Sequence, residues 1–329
     1  MSDVEDPDVT IVVASRNRRD ELVASLARHR APVVYVDNAS TDGSVEAVRA
    51  AHPDVGIVEL PRNVGAYART LGVRRATTPY VAFADDDSWW APGALAAAAQ
   101  ALRDHPRLAV VNGRILVGPD ERLDPVCEEM AASPLPSPPG TPGAALLGFV
   151  ACAVMVRVEA FTAAGGFDPV VRFPGEEERL ALDLASAGWA MSYLDDVAVH
   201  HHPSPRRHAP EERRRAITRS SVLTGFLRLP WPRAAARASR AVTAGGPERA
   251  GALAALRELP TALRHRRVVP GRVLARLDLL EAGATTPPAA AHPGPVTDDG
   301  TPAAAHGAPV TAGGGTVAAG PAADEGGHG

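Results

Sequence analysis

Across its first 120 residues the chain alternates between two hydrophobic patterns, and this alternation constrains the fold more than any other feature. Short, continuous apolar runs of strand length recur, and a stretch with helical periodicity follows most of them. Strands that are apolar at every position are buried on both faces, which is typical of a mainly parallel sheet covered by helices. We therefore predict an α/β fold with strands at residues 9–14, 33–37, 55–60, 80–84 and 108–117.

Polar residues at the ends of these strands are the first candidates for a functional site, because parallel α/β sheets bind ligands at the carboxyl ends of their strands. Three adjacent carboxylates, Asp85 to Asp87, directly follow the fourth strand. They repel one another, so the turn is favourable only when it is solvated or neutralised. A divalent cation with oxygen ligands would neutralise it and could hold two phosphates at the same time. A solvated acidic turn is the alternative.

Two further residues fit a nucleotide. Asp37 ends the second strand, where it could accept hydrogen bonds from a nucleoside or cap the turn NASTDG. Arg69 lies on the predicted helix before the acidic turn, where it could bind a phosphate or a base, or form a surface ion pair. The segment after the first strand, ASRNRRDEL, contains no glycine. A dinucleotide-binding fold needs a glycine-rich turn there, so an NAD enzyme is not expected.

The second half of the chain changes character after residue 205. Before that point we predict strands at 149–156 and 192–200 and a helix at 179–187. The segment 205–282 holds 17 Arg against six acidic residues, a charge of about +11. The last residues are dominated by Ala, Gly, Pro and Thr and cannot bury enough apolar surface to offset their ordering entropy. We predict an α/β domain over residues 1–205, an Arg-rich helical extension over 206–282 and a disordered tail over 283–329.

Composition excludes several function classes. The net charge is only −4, so the whole chain is not built to coat nucleic acid, and we expect no nucleic-acid partner. Two cysteines, Cys127 and Cys152, are too few for a disulfide framework or a zinc site. The acidic N-terminus is unlike a signal peptide. The longest apolar run, 144–156, is far shorter than the roughly 20 residues of a membrane span. We expect a cytoplasmic protein, soluble or peripheral at the inner face of the membrane.

Six segments, in order and at similar spacing, resemble family 2 glycosyltransferases of the GT-A fold. They are VTIVVASRNR, VVYVDNASTDGS, PRNVGAYARTLG, YVAFADDDSWWAPGAL, GGFD at 165–168 and FPGEEERL at 173–180. Each motif alone is weak, but the ordered set is specific. The resemblance covers roughly Val9 to Arg207. It implies a GT-A (Rossmann-like) domain that takes a sugar from a nucleotide-diphosphate donor.

The resemblance implies roles at the donor end of the site. It places three residues at the nucleotide: Ser15, Asp37 and Arg69. Asp85 and Asp87 become the outer members of a DxD metal motif. Asp87 is then the more direct ligand of Mg²⁺ or Mn²⁺, and Asp86 or Asp85 reaches the ribose.

At the acceptor end, Glu177 falls at the position of the family's general base, and Glu176 matches the acidic residue before it. Which of the two reaches the acceptor stays open, and an acidic helix start is the alternative for both. His201 or His200 follows the last strand, where the family often places a histidine near the diphosphate or the metal. A solvated histidine cluster is the alternative.

The chain also departs from the family pattern. Arg179 stands where the family has a second acidic residue, Glu replaces the usual Asp at the base position, and Thr70 replaces a frequent Asn. Trp89 and Trp90 follow the acidic turn, where one could stack on a sugar or pack in the core.

The predicted activity is inverting transfer of a hexosyl or deoxyhexosyl group to a hydroxyl acceptor, in a single metal-assisted displacement. A base takes the acceptor proton, and the metal stabilises the departing diphosphate. The acceptor class, whether glycan, lipid-linked or natural product, stays open. One alternative is a catalytically degenerate nucleotide-sugar-binding scaffold. Another is a sugar-1-phosphate nucleotidyltransferase, which would need a glycine-rich basic loop after the first strand. The extension 206–282 could lie on an anionic membrane, or be a solvated extension or an oligomer contact.

Overall fold

The computed structural model describes residues 4–204 and 209–284, and within them the strands form one sheet. In chain order they are β1 (Val9–Ser15), β2 (Val33–Asp37), β3 (Gly56–Glu59), β4 (Tyr80–Ala84), β5 (Ser88–Trp90), β6 (Leu108–Val117), β7 (Arg122–Leu123), β8 (Ala144–Ala145), β9 (Val154–Arg157) and β10 (Ala190–His201). The predicted strand at 149–156 starts only at Val154, because Ala151–Ala153 form a 3₁₀ turn.

Helices cover the sheet and continue beyond it. In chain order they are α1 (Arg19–Leu26), α2 (Ser44–Ala51), α3 (Tyr67–Val73), α4 (Ala94–Asp104), α5 (Pro125–Ala131), α6 (Val158–Ala163), α7 (Glu177–Ser186), α8 (Pro210–Arg228), α9 (Trp231–Ala244), α10 (Gly246–Ala255), α11 (Leu259–Arg264) and α12 (Gly271–Ala284). Among the helices of the described residues, none is long and apolar enough to cross a bilayer. The predicted disordered tail begins within α12, and its residues 285–329 lie outside the described residues.

The sheet has the strand order β3-β2-β1-β4-β9-β6-β10-β5, with β7 beside β6 and β8 beside β10. Strands β1 to β4 pair with one another in parallel, and β6 is parallel to β10. Between these two parallel groups lies β9, which is antiparallel to both β4 and β6. The predicted α/β fold is confirmed, with a mixed sheet rather than one that is parallel throughout.

The register brings the ends of the first strands to one edge of the sheet. Ser15, the last residue of β1, lies opposite Asp37, the last residue of β2. On the other side of β1, Val13 lies opposite Ala84, the last residue of β4. The next residues after β4 are the three aspartates, so the acidic turn emerges beside Ser15.

A glycine lets α3 lie close to this part of the sheet. A Cβ on Gly72 would sit 2.4 Å from Val12 Cγ1 and 3.0 Å from Val36 Cγ2, closer than packed atoms tolerate. The helix therefore contacts β1 and β2 through its backbone at this point. Arg69, one turn earlier on the same helix, is carried towards the carboxyl ends of the strands.

The C-terminal helices pack onto the α/β domain. Val269 and Leu277 belong to the main hydrophobic core, and Leu223 of α8 forms a smaller cluster with Val171. The segment predicted to be an Arg-rich extension is thus helical and joined to the domain by apolar contacts. Its predicted boundary falls in residues 205–208, outside the described residues, and stays a prediction.

Candidate active site

The three aspartates after β4 each contact a different part of the protein. Asp85 accepts a hydrogen bond from the Arg69 guanidinium at 2.6 Å. Asp86 accepts one from the Ser15 hydroxyl at 2.5 Å, as the register of β1 and β4 requires. Asp87 lies 3.2 Å from His201 Nε2. The turn is therefore held between β1, α3 and the end of β10, rather than solvated throughout.

Arg69 links the acidic turn to the start of α7. One guanidinium nitrogen contacts Asp85, and another lies 3.3 Å from Glu176 Oε1. The Arg69 side chain is only 6% exposed and that of Glu176 is fully buried. Burial alone would lower the pKa of Arg69, but the two carboxylates raise it above its ordinary value. Arg69 is thus a permanent cation that joins two carboxylates distant in the sequence.

Glu176 and Glu177 occupy different environments at the start of α7. Glu176 is the residue before the helix and contacts Arg69, and its Oε2 has no hydrogen-bond partner among the described residues. Glu177 is the first helical residue, is half-buried, and forms no ion pair with the described residues. Burial raises the pKa of both carboxyls, while Arg69 acts against this shift. Arg213 of α8 also lowers the pKa of Glu177, so the extension contributes charge to the site.

Asp86 is a half-buried member of the acidic turn with a shifted pKa. Burial raises the pKa of its carboxyl to about 7, and the charges of Asp87 and Asp85 act in the same direction. The hydrogen bond from Ser15 and the charge of Arg18 oppose the shift. Excess negative charge is therefore concentrated in this turn, and a cation bound there would relieve it.

The two candidate histidines face different ways, because side chains alternate along β10. His201 points to Asp87, whose Oδ2 also accepts a hydrogen bond from the Ser204 backbone N–H at 3.0 Å. His200 lies 3.1 Å from Glu121 and stacks on Trp89 with ring centroids 5.4 Å apart. The structure brings His201, and not His200, to the acidic turn.

Within the described residues, no three histidine, cysteine or acidic side chains converge as a ready-made metal cage. Asp87 and His201 form the pair that comes together, while Asp85 is held by Arg69. Any cation here would have two protein ligands and would need oxygen atoms from substrate or water.

The nucleotide end of the site is built around the end of β2. Asp37 accepts hydrogen bonds from the Tyr35 hydroxyl at 2.7 Å and from the Ser40 backbone N–H at 3.0 Å. The next residue, Asn38, accepts from the Val64 N–H and donates to the Gly65 carbonyl. Asn38 therefore fixes the loop before α3. The sequence analysis did not single out this residue, although its position directly after Asp37 could have indicated it.

The two tryptophans have separate roles. Trp90 is buried in the core, and its indole N–H donates to the Phe83 carbonyl at 3.1 Å. Trp89 lies between His200 on one side and Arg28, whose guanidinium carbon is 4.1 Å from the ring centroid. Of the two alternatives for the tryptophans, packing in the core therefore applies to Trp90. Trp89 instead packs against His200 and covers it. The contact with Arg28 has no signal in the sequence.

Two departures from the family pattern have structural roles. Thr70 donates a hydrogen bond from its hydroxyl to the Phe167 carbonyl at 3.1 Å. Arg179 donates to the Gly166 carbonyl and binds Asp183 at 2.6 Å. Gly166 has a positive φ of 62°, and a Cβ there would meet Thr70 at 2.7 Å. Both side chains therefore fix the turn that follows α6.

The fold and the sequence are both similar to those of known proteins. The chain can be superposed on S. aureus TarS 1–349 in complex with UDP-GlcNAc with a TM-score of 0.52, at 17% sequence identity, covering 84% of this chain and 87% of that one. This likeness shows the GT-A fold. The family model described as glycosyl transferase family 2 matches residues 10–163. This match confirms the resemblance to family 2 glycosyltransferases that is seen in the motifs.

Two relatives from Mycobacterium tuberculosis carry glycosyltransferase names. N-acetylglucosaminyl-diphospho-decaprenol L-rhamnosyltransferase is 28% identical over 212 residues, which cover 54% of this chain and 69% of that protein. Pre-mycofactocin glycosyltransferase is 32% identical over 211 residues, which cover 59% of this chain and 42% of that protein. The prediction of a glycosyltransferase is confirmed at the level of this class.

Proposed function

We propose that this chain transfers a hexosyl or deoxyhexosyl group from a nucleotide-diphosphate sugar to a hydroxyl acceptor, with inversion and in one displacement. The observation that carries the proposal is the link through Arg69 between Asp85 and Glu176. This link holds the acidic turn and the start of α7 in one site. A direct displacement needs one group of residues that stabilises the leaving diphosphate and another that activates the acceptor, both placed around the anomeric carbon of the sugar.

The leaving-group side is assigned to Asp87 and His201. One carboxylate and one imidazole fit Mg²⁺ or Mn²⁺, because such cations in phosphate-binding sites take few protein ligands and complete their shell with phosphate oxygens and water. Their 3.2 Å contact shows that the two donor atoms already face each other. When bound, the cation would offset the charge that develops on the departing diphosphate. Asp85 is assigned instead to hold Arg69 in place.

The nucleotide is assigned to Ser15, Asp37, Arg69 and Asp86. Each Asp37 oxygen already accepts one hydrogen bond, which fixes the carboxylate and leaves lone pairs for a nucleoside donor. Ser15 and Asp86 lie beside it across the register of β1, where they can reach the ribose. The buried guanidinium of Arg69 provides positive charge near the phosphates.

The acceptor side is assigned to Glu177 as general base. It is half-buried, forms no ion pair within the described residues and begins a helix, so its carboxylate is available to a hydroxyl. The raised pKa brings it closer to the pH at which a base works well. Glu176 is held by Arg69, and we assign it to positioning that arginine rather than to proton transfer.

The acceptor and the location of the protein are inferred from the name of one relative and from exposed residues of the C-terminal segment. The name of the rhamnosyltransferase relative pairs a deoxyhexose with a lipid-linked acceptor, which supports a similar acceptor for this chain. We infer a cytoplasmic protein whose segment 206–282 contacts the inner face of the membrane. Exposed Leu253, Leu256 and Leu263 of that segment support this inference.

A donor-hydrolysis and transfer assay tests the proposal. Purified protein is incubated with a panel of nucleotide-diphosphate sugars in Mg²⁺ or Mn²⁺, with and without a lipid-linked or soluble acceptor. Release of nucleoside diphosphate that stops with a chelator supports the glycosyltransferase. Metal-dependent binding without any turnover supports the scaffold alternative. Release of a nucleoside triphosphate when pyrophosphate is added supports the nucleotidyltransferase.

A further inference from the structure

A cavity lined by charged side chains lies at the opposite ends of the strands from the candidate active site. It has a volume of about 540 Å³ and is lined by Leu108 and Ala190, the first residues of β6 and β10. These strands are parallel, and His201 lies at the other end of β10. The cavity is therefore separate from the residues assigned to nucleotide and acceptor.

Three arginines from two parts of the chain line this cavity: Arg107, Arg272 and Arg276. Each donates a hydrogen bond to a backbone carbonyl, of Gly188, Ser186 and Leu146 respectively. None of the three forms an ion pair with the described residues. A guanidinium has five N–H donors, so most of the donors of each arginine remain for a ligand.

The charge of Arg276 is poorly compensated. Its Nε is buried and has no hydrogen-bond partner among the described residues. Burial lowers the pKa of this arginine, and no carboxylate in the described part of the chain opposes the shift. Arg272 lies one turn before it on α12, and two like charges at this spacing disfavour the helix slightly. Two neighbouring arginines without a carboxylate partner in the described residues are expected where a bound anion neutralises their charge.

The other lining residues suit a ligand larger than a halide. Arg107 lies 5.4 Å from the centroid of the Trp189 ring, which also faces the cavity. One carboxylate, Asp104, lines the cavity, and its Oδ1 accepts a hydrogen bond from Gln100 at 2.7 Å. Three positive charges against one negative charge leave an excess that matches a dianion.

We propose that this cavity binds a phosphate-bearing anion through Arg107, Arg272 and Arg276, at a site distinct from the donor site. Arginine is the side chain best suited to phosphate, because its planar fork binds two oxygens at once. Trp189 gives a flat apolar wall for whatever group the phosphate carries. The same chemistry could be supplied by a free phosphate compound or by a lipid headgroup.

Titration calorimetry with pyrophosphate, in a chelator that prevents binding through a metal, tests the site. We expect R272Q/R276Q to bind pyrophosphate at least about tenfold more weakly than wild type, because two charge-assisted contacts are lost. The matched control is R74Q/R75Q, which removes two exposed arginines that lie outside both the cavity and the segment 206–282. Its affinity should stay within about twofold of wild type.

A second variant and a second ligand source complete the test. Arg107 is exposed, so R107Q should fold even if the double variant does not, and it should also weaken binding. Sedimentation with phosphatidylglycerol vesicles replaces pyrophosphate if the anion is a lipid headgroup, and R272Q/R276Q should then lose vesicle binding that R74Q/R75Q retains. Equal behaviour of cavity and control variants with both probes would overturn the proposal.

Discussion

Asp183 of α7 and Arg228 of α8 form a two-point ion pair, with Nε–Oδ1 and Nη2–Oδ2 distances of 2.5 and 2.9 Å. The Arg228 side chain is 4% exposed and that of Asp183 is 12% exposed. The same carboxylate also binds Arg179. The C-terminal helices are thereby tied to the helix that begins with Glu177.

This pair predicts a stability effect. Asp183→Asn leaves two buried guanidinium groups without their carboxylate, so we expect the free energy of unfolding to fall by about 3–5 kcal/mol. Urea denaturation measures the change. Asp195→Asn breaks the exposed pair with Arg114 and should cost less than about 1 kcal/mol. Similar losses for the two variants would contradict the role given to Asp183.

Gly72 predicts an effect on both stability and catalysis. Gly72→Ala places a Cβ against Val12, and such overpacking costs about 1–3 kcal/mol. Since α3 must shift away from β1, Arg69 moves too, and kcat/KM for donor hydrolysis should fall. Gly271→Ala, where no atom lies within 4 Å of the added Cβ, is the control and should change neither quantity. A Gly72→Ala protein with wild-type stability would show that the helix does not pack this closely.

His29 predicts a dependence of stability on pH. Burial, and then the charge of His52, lowers the pKa of His29 to about 4, whereas an unfolded histidine titrates near 6.5. Because the pKa is lowered in the folded state, the full contribution of neutral His29 to the free energy of unfolding is present above pH 6.5. This contribution is lost as the pH falls towards 4, by at most about 3 kcal/mol. Denaturation at several pH values measures this slope. His29→Leu should flatten it, and the exposed His265→Gln should not.

The two glutamates before and within α7 predict different kinetic defects. Glu177→Gln should lower kcat by roughly 10²–10⁴ and leave donor binding and thermal stability unchanged, since only the base is lost. Glu176→Gln weakens the contact with Arg69, so it should reduce both donor affinity and stability. In wild type the acidic limb of the pH–rate profile should lie above pH 4.5, because the pKa of Glu177 is raised and the base acts when ionised. Full turnover by Glu177→Gln would remove the base assignment.

The local sequence pattern was enough to predict much of the fold and which residues of the candidate site lie at strand ends. Apolar runs predicted the parallel strands, and the polar residues at strand ends predicted that Asp37 and the acidic turn belong to the candidate site. These predictions were possible because burial and the side-chain period depend on adjacent residues. The antiparallel β9 was not predicted as such, since strand direction depends on contacts far along the chain.

The contacts that organise the site could not be predicted for the same reason. Arg69 and Glu176 are 107 positions apart, and nothing in the spacing shows that one guanidinium serves both Asp85 and Glu176. The charge excess of the C-terminal segment predicted helices but not that Arg228 would bind Asp183. Arg179 departs from the family pattern, and only its contact with the Gly166 carbonyl explains it.

We propose that Asp87 and His201 hold a cation that in turn holds the donor diphosphate. Calorimetric titration of nucleoside diphosphates in Mn²⁺, repeated after chelation and with Asp87→Asn, tests it most directly. We predict binding by wild type that weakens at least about tenfold on chelation, and equal weakening in Asp87→Asn with Mn²⁺ present. Undiminished binding in both the chelated protein and the variant would contradict the claim.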